Sequence, residues 1–153
     1  MISWAIFAAA VLHVVEEYFF PGGFMRVMKE FQPKFTLFIT VPFAVIINGL
    51  FIVLCLLAAL RHSDSPLLGL TVAILVGING LMHVGAAIRL RGYAPGVVTG
   101  ALFYLPLCVL ALRNSAAIGQ LSLAAAARAA VLAIALQLVP IAYLGLASLS
   151  KKN

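Results

Sequence analysis

Five long apolar runs leave this chain few ways to fold. They cover roughly residues 2–20, 35–60, 66–90, 94–112 and 122–148. Each reaches the length, about 17–25 residues, that a helix needs to cross the hydrocarbon core of a bilayer. Inside lipid every backbone N–H and C=O must find a partner within protein, which leaves helices or a closed barrel. The runs rarely alternate apolar with polar, and they are too long for barrel strands. The expectation is an all-α integral membrane bundle of about five transmembrane helices, forming a single transmembrane domain over 1–153. Composition agrees. The chain is 65% hydrophobic and 9% charged, where a soluble domain carries about a quarter charged residues.

The net charge of +6 raises nucleic acid as a partner, but the basic residues sit between apolar runs and form no polar face. That is how topology uses charge, so membrane lipids are the expected surroundings and nucleic acid is not an expected partner. Arg26, Lys29, Lys34, Arg89, Arg91, Lys151 and Lys152 fall on one side, and Arg61, Arg113 and Arg128 on the other. The richer side is expected to be cytoplasmic, which puts the N-terminus outside and the C-terminus inside. The first run lacks a basic stretch before residue 4 and is read as a retained span. The loop "PGGFMRVMKEFQPK" (21–34) has the apolar and basic mixture of a short interfacial helix; whether it acts as a lid is left open. Cys55 and Cys108 form no CxxC pair and are read as small packing side chains.

Against this background the polar residues stand out. The first run contains "HVVEE", with His13, Glu16 and Glu17. Ionisable groups within a span are costly and are functional candidates by default. At 100° per residue both glutamates flank the histidine on one face of the helix. The third run contains "GINGLMH", whose Asn79 and His83 are spaced i, i+4 and share a face. Its Gly77 and Gly80 allow another helix to approach closely. At 1.5 Å per residue, the two groups lie at similar depth, in the cytoplasmic half. Thr40, Pro42, Asn48, Tyr93, Thr99, Gln137 and Tyr143 bring further polar or kinking residues towards that layer.

The "HVVEE" of residues 13–17, the "NGLMH" of 79–83 and the "YAPG" of 93–96 resemble the pattern of the HXXEE family of small bacterial and archaeal membrane proteins. The resemblance implies a bacterial or archaeal cytoplasmic membrane and a shared polar site. The family has no assigned function, so it implies no reaction.

The residue types suggest chemistry of their own. His13, His83 and one or both of Glu16 and Glu17 offer two imidazoles and a carboxylate, a ligand set for one divalent ion, Zn or Fe. Asn79 is a further ligand or an orienting group. The second glutamate is then free to act as a base, and Glu16 and Glu17 are the catalytic candidates. Arg89, Arg91 and Tyr93, near the cytoplasmic rim, are candidates for contacting the substrate. The favoured reading is a membrane enzyme, a metal-dependent hydrolase or oxidoreductase, acting on a lipid or other hydrophobic substrate. A metal-free glutamate–histidine pair would instead suit acid–base chemistry: an isomerase, hydratase or cyclase working on a sterol or isoprenoid. A proton-coupled carrier is a third reading. A non-catalytic interaction protein, with the cluster as glue between helices, is a fourth. Glue returns only about 0.6 kcal/mol per hydrogen bond, which is poor compensation for burying four ionisable side chains.

Overall fold

The computed structural model describes residues 1–19, 23, 40–61 and 64–150, with the side chains of 144–150 left aside. The loop helix expected at 21–34, its role as a lid, His62 and the basic residues Arg26, Lys29, Lys34, Lys151 and Lys152 lie outside the described residues. Among the described residues five long helices follow one another: α1 Ile2–Phe19, α2 Val41–Leu60, α3 Pro66–Leu90, α4 Val97–Ala117 and α5 Leu123–Ser150. All five are long and apolar enough to cross a membrane, and no strand occurs among the described residues.

Local chemistry sets the helix ends. The Thr40 hydroxyl accepts from Phe43 N at 3.3 Å and caps α2, so Thr40 starts the helix instead of joining the polar layer. Pro42 sits in that first turn, where a missing N–H costs nothing, and so it does not kink the span. Pro66 opens α3 in the same way after Ser65. Arg91, in the left-handed conformation (φ 51°), closes α3. There Arg91 N bonds Ile88 O and Gly92 N bonds Ala87 O, both at 3.1 Å.

The run expected at 94–112 becomes a helix only at Val97, because Gly96 turns the chain with φ 86°. After its first turn α4 widens into a π-helix over Gly100–Tyr104, with Leu105 N bonded to Gly100 O. Pro106 follows at once. Its ring cannot accommodate the Leu102 carbonyl in α geometry, and the wider turn relieves that conflict.

α3 occupies the centre and packs against α1, α2, α4 and α5. Its close approach to α4 needs glycine. A Cβ on Gly77 would lie 2.6 Å from Cys108 Sγ, and one on Gly80 would lie 3.0 Å from the Gly100 carbonyl. The apolar core joins Ile6, Ala9 and Ala10 of α1 to Cys55 and Ala58 of α2, Val72, Ala73 and Val76 of α3, and Tyr104 of α4. Further along the same stripe of α1 come His13, Glu16 and Glu17, all buried. One helix face thus passes from packing to chemistry within two turns. Apolar residues such as Leu50, Val53, Val131 and Ile134 remain exposed.

Candidate functional site

The two adjacent glutamates do different work because neighbours on a helix point about 100° apart. Glu16 reaches the start of α4. Its Oε1 accepts from Tyr93 Oη and from Val98 N, both at 3.0 Å. Its Oε2 accepts from Thr99 N at 2.7 Å and from Thr99 Oγ1 at 2.5 Å. Val98 and Thr99 lie in the first turn of α4, where backbone donors lack helical partners and the dipole favours an anion. Glu16 therefore acts as the N-terminal cap of α4, supplied by another helix. Four donors meet it, the pattern an ionised carboxylate requires.

Glu17 turns the other way. Its Oε2 accepts from Asn48 Nδ2 of α2 at 3.2 Å. Its Oε1 lies 3.3 Å from His83 Nε2 and 3.7 Å from His13 Nε2. The three groups can each direct one ligand atom at a common point, all within 4.8 Å of one another. Glu17 and His13 are buried, and His83 is nearly so.

Hydrogen bonds on the far side of each ring decide what these atoms offer. His83 Nδ1 lies 2.6 Å from the Pro95 carbonyl. A carbonyl only accepts, so Nδ1 carries the proton and the Nε2 of a neutral ring carries a lone pair. His13 Nδ1 lies 2.7 Å from Thr99 Oγ1. That hydroxyl spends its one proton on Glu16, so it accepts from His13 and leaves the Nε2 lone pair bare. Among the described residues, His13 Nε2 has no hydrogen-bond partner. Two lone pairs and a carboxylate oxygen thus converge, a set of acceptors that could hold a metal ion or share a proton.

The donor set fits a divalent ion. Ligand atoms about 2.0–2.2 Å from one tetrahedral zinc lie about 3.3–3.6 Å apart, close to two of the separations seen here. Each imidazole is also oriented by its other nitrogen, as metal-binding histidines regularly are. The rings themselves are held by packing. His13 stacks on Tyr104 with centroids 4.4 Å apart, and it meets His83 edge-on at 4.6 Å. Gly96 passes over both. A Cβ there would stand 2.6 Å from His83 Nδ1 and 2.7 Å from His13 Cε1.

Asn79 shares with His13 and Glu17 the wall of a cavity of about 280 Å³, lined further by apolar residues of α2, α3 and α5. Its Oδ1 is buried with no partner among the described residues. Gln137 also lines this cavity, and Tyr143 stacks on Phe43 at 5.0 Å. Arg89 and Arg91 are exposed at the end of α3, and neither lines the cavity. Tyr93 contacts Glu16, and burial together with that carboxylate pushes its phenol up to about 12. The sequence points to Thr99 only as one of several polar residues near this layer, and to the Pro95 carbonyl not at all. The one signal for Thr99 was its place three residues after "PG", where a helix begins.

The fold and the cluster define a class: a five-helix bundle of membrane-spanning proportions with a His/Glu group at its heart. The chain belongs to the HXXEE family, described as proteins of unknown function with an HXXEE motif, whose profile matches residues 4–111. The matched stretch carries His13, Glu16, Glu17, Asn79, His83 and Thr99. No curated protein and no solved structure matches the chain.

Proposed function

We propose that this protein is a small membrane enzyme whose His13 Nε2, His83 Nε2 and Glu17 Oε1 hold one divalent ion, zinc or ferrous iron. Its substrate is a lipid or other hydrophobic molecule bound in the adjoining cavity. The observation that supports this most is the pair of imidazoles whose Nδ1 protons are committed elsewhere, so that two lone pairs meet one carboxylate oxygen. Three protein ligands with room for another group is the composition of catalytic sites, where structural sites are closed. A bound divalent ion supplies Lewis acidity to a substrate oxygen.

The chain's own residues supply the rest. Thr99 and the Pro95 carbonyl fix the tautomer and angle of the two rings. Asn48 holds the second oxygen of Glu17, so only Oε1 faces the histidines. Glu16, satisfied by α4, keeps its charge away from the ligand point. Leu54, Leu75 and Phe51 exclude water from the cavity wall. By the distribution of Lys and Arg, the site belongs to the cytoplasmic half, with the N-terminus outside and the C-terminus inside.

One observation favours a metal-free alternative. His83 Nε2 and Glu17 Oε1 are 3.3 Å apart, and a proton shared between them would suit acid–base chemistry on an isoprenoid or sterol double bond. Elemental analysis of chelator-free, detergent-purified protein separates the two. The metal reading expects close to one zinc or iron per chain, lost in His13→Ala and in His83→Ala. Metal-free wild-type protein would overturn it in favour of the shared proton.

A further inference from the structure

We infer that the cavity beside the cluster receives the end of a single neutral hydrocarbon chain bearing a hydroxyl group, which enters sideways from the membrane between α2 and α5. This rests on reading the His/Glu cluster as a reactive centre, and it adds the route and the substrate class. The route follows from exposure. Leu50, Leu136 and Val139 line the cavity yet are 61%, 40% and 57% exposed. They lie well within two apolar helices, so the mouth opens on the side where acyl chains would surround the bundle. Among the described residues α4 contributes nothing to the lining, and the opposite wall is closed by α1 and α3.

Size restricts the guest. About 280 Å³ lies at the lower end of the range for ligand pockets, about 300–1,000 Å³. It accepts one chain end and not the two tails of a phospholipid.

Polar chemistry restricts it further. Asn79 Oδ1 is a buried acceptor with no donor among the described residues. Pro140, also in the wall, has no N–H, so the Leu136 carbonyl lacks its usual helical donor. Asn79 Oδ1, in the cavity wall, asks for a ligand that donates. No Lys or Arg lines the cavity among the described residues, whereas Glu17 does. An ionised phosphate or carboxylate head has no proton to donate to Asn79 Oδ1, and Glu17 lies in the same wall. A hydroxyl donates to that acceptor and carries no charge.

The test uses tritiated 1-dodecanol and the full chain in lipid nanodiscs, with and without chelator stripping, and metal content is measured on the same samples. The expected result is saturable binding, displaced from chelator-stripped protein by cold dodecanol at least tenfold better than by dodecanoate or dodecyl phosphate. Leu136→Trp, at the exposed mouth, is expected to abolish that binding while the protein stays folded. Asn79→Leu is expected to weaken it about fivefold, the loss of one neutral hydrogen bond. Absence of saturable binding, equal displacement by the anions, or full binding in Leu136→Trp would overturn the inference. Saturable binding by protein that never holds metal keeps the inference and removes the metal reading. Metal-loaded protein that fails to bind dodecanol does the reverse.

Discussion

Replacing Gly96 by alanine tests how tightly the turn before α4 is built onto the two histidines. Two costs add. The backbone there has φ 86°, and a left-handed conformation costs a residue with a Cβ about 1–2 kcal/mol. The new methyl would also stand 2.6 Å from His83 Nδ1 and 2.7 Å from His13 Cε1, about 1 Å inside a comfortable contact. Both rings would have to move, straining the bonds to Pro95 and Thr99, each worth about 1 kcal/mol. The total is a destabilisation of about 3–4 kcal/mol. Gly85→Ala is the matched control: it lies within α3, with nothing within 4 Å of a new Cβ, and there alanine is expected to be neutral or to stabilise by up to about 1 kcal/mol. Unfolding of the purified variants in mixed micelles, followed by circular dichroism, measures the difference. Equal stability of Gly96→Ala and Gly85→Ala would refute the claim that the turn is moulded to the rings.

The two glutamates should separate cleanly. Glu16→Gln puts an amide N–H among donors and is expected to cost about 2–3 kcal/mol of stability, with metal stoichiometry retained; Glu17→Gln is expected to change the stability of metal-free protein by less than about 1 kcal/mol while abolishing metal binding. Unfolding curves and metal analysis on both variants check this. Thr99→Val removes the acceptor of His13 Nδ1 and a donor to Glu16, and it is expected to weaken metal affinity about 10–100-fold, with Thr99→Ser restoring most of it in a competition titration. Partial burial of the phenol and the Glu16 carboxylate beside it hold Tyr93 neutral, raising its pKa to about 12. The unfolded chain therefore loses this proton first, and stability should fall as pH rises from about 10 to about 12. Tyr93→Phe should flatten that decline, and ultraviolet difference titration against this variant should place the missing phenol near 12.

The fold class was legible because lipid permits so little: run length and backbone satisfaction left only helices. His13, Glu17 and His83 were legible as candidates because charge in a span is costly enough to need a reason. The division of labour between Glu16 and Glu17 was less visible. It depends on where α4 begins, and that start is set by the φ of Gly96 and the widened turn before Pro106, neither of which has a periodic signature. The Pro95 carbonyl was invisible, since a backbone acceptor leaves no mark on residue type. Arg89 and Arg91 drew notice through charge alone, and they lie on the exposed end of α3 while the cavity opens among apolar side chains.

The most direct test of the central claim is calorimetric titration of zinc into chelator-stripped protein, wild type beside His13→Ala, His83→Ala and Glu17→Gln, with Arg89→Gln as a control outside the cluster. One ion per chain is expected for wild type and Arg89→Gln, and no measurable binding when any one of the three ligands is removed. Undiminished binding in the three ligand variants, or none in wild type, would contradict the claim.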